Sequence, residues 1–199
     1  MKYEIGKKWR VIMNKSLMVC GCTFFFLFVM FSSCFAVELT ADMVTKEGKI
    51  TRNGKIYVKD SKCRVEKGST PLFTIVRGDK GLFWQVNNAE KTYIKATLTP
   101  DMKPAIDEKM FGETGRKAVG TETVNGYAAK KSEVTTKKGN KTETIQQWFS
   151  TEYGFPVKLV GANWIVEYKN IKKGAVSDSL FELAPGLVED NSEVPDVLH

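Results

Sequence analysis

Histidine is almost missing from this chain: its single copy is His199, the last residue. Histidine-based nucleophile triads and His-ligated metal sites therefore have no internal candidate. The sequence also lacks G-x-S-x-G, G-x-x-x-x-G-K-[ST] and G-x-G-x-x-G, and it has no C-x-x-C beyond residue 36. Three of its four cysteines, Cys20, Cys22 and Cys34, precede that residue, so a chain cut there keeps only Cys63 and forms no internal disulfide. No apolar run reaches the roughly 20 residues of a membrane-spanning helix, because Leu17–Phe31 stops short and contains Gly21. Carboxylates are plentiful but alternate with lysine, the pattern of a solvated surface. Enzyme activity, a metal and a cofactor are accordingly not expected.

What the N-terminus does have is a basic stretch, Lys2, Lys7, Lys8, Arg10 and Lys15 against the lone acid Glu4, followed by uncharged, mostly apolar residues from Ser16 to Phe35. That order is a secretory signal, with small residues at Cys34 and Ala36 placing cleavage between Ala36 and Val37. Met13 opens a more conventional leader, which leaves Met1 and Met13 both open as the start. A second reading takes Phe31-Ser32-Ser33-Cys34 as a lipoprotein signal, with Cys34 lipidated and the protein anchored to a membrane.

Removing residues 1–36 takes away five basic and one acidic side chain, so the net charge falls from +7 to about +3. The remaining charges form no long single-sign block, which argues against nucleic acid as a partner. Residues 37–188 suit one domain, and the acidic stretch 189–199 reads as a disordered tail.

Within that domain, short β-type runs recur: Glu38–Lys46, Gly54–Lys59, Lys62–Glu66, Leu72–Arg77, Gly81–Val86, Thr92–Ala96, Ala118–Val124, Tyr127–Thr136, Thr142–Ser150, Val157–Gly161 and Trp164–Tyr168. Asn53-Gly54, Asn125-Gly126 and Lys138-Gly139-Asn140 supply the positive φ angles of tight hairpins, so neighbours in sequence are expected to be neighbours in space. Thr99-Pro100 breaks the rhythm and leads into Ala105–Phe111, where Ile106, Met110 and Phe111 suit one face of a short amphipathic helix. So large a sheet needs cover for its apolar face. The expected fold is mainly β: a curved antiparallel sheet forming an unclosed half-barrel with a short helical lid.

Alternation puts Leu82, Trp84 and Val86 on one face of their strand, and Ile56 with Val58 on one face of theirs. Together with Tyr93, Trp148, Trp164 and, on the lid, Met110 and Phe111, these residues either pack a dry core or line an apolar cavity. Cys63, in an alternating segment, reads as a buried packing residue.

The succession Val44-Thr45-Lys46-Glu47-Gly48, Gly54-Lys55-Ile56-Tyr57-Val58-Lys59 and Cys63-Arg64-Val65-Glu66 resembles the opening of the DUF4412 family, itself similar to the LolA/LolB lipoprotein-carrier superfamily. The likeness continues through Ile75-Val76-Arg77-Gly78-Asp79-Lys80-Gly81-Leu82-Phe83-Trp84, Gly120–Tyr127, Gly154-Phe155-Pro156-Val157-Lys158 and Ser179-Leu180-Phe181-Glu182-Leu183-Ala184-Pro185-Gly186. It implies a bacterial periplasmic protein whose apolar interior suits an acyl chain, a lipid or a lipidated protein, touching membranes only transiently unless Cys34 is lipidated. It also tips Ile56, Val58, Trp84, Tyr93, Met110, Phe111, Trp148 and Trp164 toward a cavity. The alternative is an envelope protein-protein interaction or stress-sensing module with a packed interior and no ligand.

Overall fold

A computed structural model describes residues 37–68 and 70–192; Cys34 and Ala36, and with them both readings of the leader, lie outside the described residues. Twelve strands form one sheet: β1 (Glu38–Glu47), β2 (Ile50–Lys59), β3 (Lys62–Lys67), β4 (Leu72–Arg77), β5 (Leu82–Asn87), β6 (Thr92–Thr97), β7 (Glu113–Val124), β8 (Tyr127–Lys138), β9 (Lys141–Ser150), β10 (Phe155–Val160), β11 (Trp164–Lys173) and β12 (Val188–Glu189). Their order in space is β12-β6-β5-β4-β3-β2-β1-β11-β10-β9-β8-β7. Every pairing is antiparallel except β12 on β6. The sheet is curved and unclosed.

Most of this order is a meander of hairpins, and turn chemistry explains it. Asn125 and Gly126 both take positive φ between β7 and β8, as their two-residue turn requires. One long-range pairing joins the two halves: β1 lies against β11, with Met43 opposite Tyr168 and Glu47 opposite Trp164. A register shift at Thr40/Asp42 interrupts that ladder.

Registration sorts the side chains into two apolar faces. On the inner one, Leu39 faces Val58, Ala41 faces Ile56, Val58 faces Cys63, Cys63 faces Val76 and Val76 faces Phe83. All of these are buried in one cluster that also holds Met43, Phe155, Val157 and Tyr168. On the outer face, Tyr57, Arg64, Ile75 and Trp84 stand in a row across β2–β5, and Phe73, Val86 and Tyr93 in another. Each face therefore needs its own cover.

The covers are two irregular segments. β6 and β7 follow one another in sequence but sit at opposite ends of the sheet, so residues 98–112 must cross between them. Here the structure departs from the expected helix at Ala105–Phe111: regular winding is confined to a 3-10 turn at Pro100–Met102, and residues 103–112 run without helix. Pro104 favours an extended Lys103, and a span across a sheet needs more length than a helix of seven residues provides. The second segment leaves β11 and crosses the outer face through a 3-10 turn at Asp178–Phe181 before joining the edge as β12. Glu189, placed by sequence in the acidic tail, is thus a paired strand residue opposite Tyr93, and the Asp190 N–H donates to the Tyr93 carbonyl.

Candidate functional site

The inner face and the segment that roofs it form the candidate site. Leu98, Met102 and Ile106 of the roof pack, partly buried, on the inner cluster of Leu39, Ile56 and Phe83. Further along, Ala105 and the buried Met110 meet Val134, Ile145, Leu159 and Trp164. Val166 touches both clusters and makes the apolar floor continuous. Fully burying aliphatic or aromatic side chains such as these stabilises the fold by roughly 1.5–3 kcal/mol each.

Polar contacts fasten the roof at the β7–β9 end. Gln147, fully buried, donates through Nε2 to the Asp107 carbonyl at 3.1 Å and accepts from Arg116 at 2.8 Å. Arg116 also donates to the Glu108 carbonyl and to the Glu113 carboxylate, which in turn accepts the Met110 N–H at 3.0 Å. The Arg116 hydrogen bond holds the Glu113 carboxyl below the usual carboxylate range. Gly112 ends the roof at φ +69°, and a Cβ there would stand 2.4 Å from the Lys137 carbonyl oxygen, so only glycine fits the turn into β7.

Of the eight residues the sequence nominates, five belong to the two clusters of this site. Ile56 and Val58 lie in the floor, while Met110 and Trp164 share the second cluster, with the Trp164 Nε1 donating to Glu143 at 3.0 Å. Three lie elsewhere, and Trp148 stands at the margin. Trp84 and Tyr93 belong to the outer face, where Trp84 packs with Ile75, Val86 and Phe181 and the Tyr93 hydroxyl donates to Glu189. Trp148 joins the inner apolar cluster by contact, but stands opposite Lys131 and Lys158, whose ammonium groups lie 4.7 and 5.4 Å from its ring centre. Phe111 is 54% exposed. The physical reason is register. Alternation fixes which residues of one strand share a face, but pairing makes Phe83, not Trp84, the partner of Val76 and hence the companion of Val58.

Sequence reasoning missed Phe83, Tyr168 and Gln147. Leu39-x-Ala41-x-Met43 and the parity of Phe83 carried a signal for the floor, whereas nothing around Gln147 announces a side chain that holds a loop. Cys63 is buried as expected, and burial pushes its thiol pKa up, which leaves the unreactive thiol form.

The interior is filled. Leu39, Ile56 and Val157 have no exposed surface, and Phe83 retains 1%. Surface hollows of about 230 and 640 Å³ are lined instead by polar residues, among them Asp42, Lys55, Asn170 and Lys172 in the first and Arg52, Asn53 and Lys67 in the second. Neither is lined by any of the eight nominated residues. Among the described residues no cluster of histidine, cysteine and carboxylate side chains suits a metal, and no helix is long and apolar enough to cross a membrane.

No protein-family model matches the chain, so the resemblance to DUF4412 has none behind it, and no curated protein sequence matches either. Solved structures do. A chain of the MucA/MucB complex from Pseudomonas aeruginosa superposes with a TM-score of 0.51 at 13% identity, over 74% of this chain and 56% of that one. A putative outer membrane lipoprotein-sorting protein domain from Vibrio parahaemolyticus follows at TM-score 0.41 and 9% identity, over 72% and 88% of the two chains. A DUF1329 family protein from Desulfovibrio piger gives TM-score 0.38 at 13% identity, over 74% and 90%. This chain spans little more than half of the one from the MucA/MucB complex, and what the two share is the fold.

Proposed function

We propose that this is an exported, non-catalytic protein of the bacterial envelope that receives an acyl chain, a lipid or a lipidated protein between the inner face of the half-barrel and the 98–112 roof. One observation supports it above the others: a continuous apolar floor is covered by a single irregular segment whose apolar contacts, Met110 apart, are only partly buried. Such a segment separates from its floor at less cost than a packed helix or a second sheet. In the closed form the interior is occupied by side chains, so uptake requires the roof to move. Ten buried methylenes contribute about 8 kcal/mol gross, at ~0.8 kcal/mol each, against that opening and the ordering of the ligand.

A second reading has its own support. The interior is closed by side chains with almost no exposed surface, and the fold resembles a chain from a protein-protein complex. On this reading the half-barrel is a rigid platform for another envelope protein, and its inside binds nothing.

Native mass spectrometry of the protein purified gently from the envelope tests both. The carrier reading expects a mass excess that is shed on denaturation, together with a chain starting at Val37. A bare chain that co-purifies with a second polypeptide overturns it in favour of the platform. A chain acylated at Cys34 replaces transient membrane contact by permanent anchoring.

A further inference from the structure

The segment across the outer face is held like a bound peptide. Four cations from three adjacent strands grip it. Lys59 donates to the Val176 carbonyl and to Asp178; Lys62 pairs with Asp178; Arg64 donates to the Leu180 carbonyl; and Arg77 donates to the Phe181 carbonyl and to Glu182. Between them the Phe181 ring is completely buried against Ile75, Trp84 and Val86, with the Lys62 ammonium 5.6 Å from its centre. Val176 forms a second buried anchor. The groove is basic at its sides and apolar at its base, and its occupant is acidic with apolar anchors.

The occupant is joined to β11 by a short exposed connection, Gly174 and Ala175, in which Gly174 takes φ +148° with open space where a Cβ would be and donates its N–H to the Glu38 carbonyl. Side-chain grips, not a strand ladder, hold it until β12. We propose that this groove is an interaction surface for the 174–190 segment of a second copy: the segments exchange at the Gly174 hinge and each fills the other chain's groove. Every grip and both buried anchors are regained in such a pair, so only the hinge changes conformation, and mass action favours it as concentration rises. This inference is independent of what the inner face binds.

Thiol cross-linking tests it in a Cys63→Ala background, which removes the one cysteine native to residues 37–199. A Lys62→Cys chain and an Asp178→Cys chain, carrying different tags, are mixed at high concentration and treated with a short bis-maleimide, because a lysine–carboxylate pair spans more than a disulfide can. Exchange predicts a cross-link joining residue 62 of one chain to residue 178 of the other, in at least tenfold excess over like-with-like products and lost on dilution before the reagent is added. A double variant with both substitutions in one chain should close internally when dilute, which verifies that the two positions meet. A double variant that closes while the mixture yields no mixed cross-link overturns the exchange. A double variant that fails to close overturns the groove itself.

Discussion

The two faces of this sheet are covered by segments of similar irregularity held by opposite means. The inner roof rests on apolar side chains that are partly buried except for Met110, and its polar fastening comes from Gln147, Arg116 and Glu113 together with a Lys138–Asp101 ion pair. The outer segment is anchored by a fully buried phenyl ring and by four cations spread over β2–β4. The contrast separates two kinds of attachment. Apolar contact such as that under Leu98, Met102 and Ile106 is non-directional, whereas the outer segment, gripped along its length at carbonyls and carboxylates, has a fixed register.

The contrast breaks most sharply at Phe181. Phe181→Ala should cost about 3–5 kcal/mol of stability in denaturant unfolding, because it empties a site with no exposure. An effect below about 1 kcal/mol would mean that the outer segment adds nothing to the fold. Next comes Gln147→Leu, which leaves the Asp107 carbonyl and one Arg116 donor without a partner. It should cost about 1–3 kcal/mol and speed hydrogen exchange across 103–112 while leaving 176–189 protected. Equal acceleration in both segments would show the two covers to be one cooperative unit.

Acid sharpens the comparison further. Hydrogen bonds from Lys62 and then Lys59 hold the Asp178 carboxyl at a pKa of about 2, below its ordinary 3.8. A carboxylate with a depressed folded-state pKa stabilises the fold above its unfolded value, and that contribution disappears as pH falls from about 3.8 to about 2. Stability should therefore decline with acid in that window, and Asp178→Asn should flatten the decline; an unchanged slope would remove Asp178 from the grip. Smallest of all is Phe111→Ser, expected within about 0.5 kcal/mol because the ring already faces water. A larger loss would place Phe111 against the floor.

The sequence carried the sheet well and the site partly. Alternation and hairpin turns located the strands, since Leu72–Arg77 falls where it was expected and most others differ by a few residues at their ends. β7 and β11 differ most: β7 begins at Glu113 where the pattern suggested Ala118, because its exposed, glycine-containing start has no apolar alternation to read, β11 runs on past Tyr168 to Lys173 through a lysine-rich end, and the two-residue β12 has no counterpart among the expected strands. The roof was legible as an interruption but not as a conformation: Ile106 and Met110 do face the core, in an extended crossing that lets them reach different clusters. The nominated residues part company between β2 and the strands β5 and β6. Ile56 and Trp84 each obey the parity of their own strand, and the hairpin registers between them place them on opposite sides. The grip on the outer segment left no local trace, because Arg77 and Glu182 meet only after the chain has traversed the whole sheet.

The pairing of β1 with β11 has a consequence for the order of events as the chain is made. The β1–β6 hairpins form from local contacts as each strand appears, but the outer edge of β1 stays unpaired until β11, the last long strand, arrives. For most of synthesis the chain therefore presents an open strand edge beside an apolar floor, and the Met110 end of the roof has nowhere to land. That edge is the natural target for a folding factor and, in its absence, the place where two nascent chains would stick.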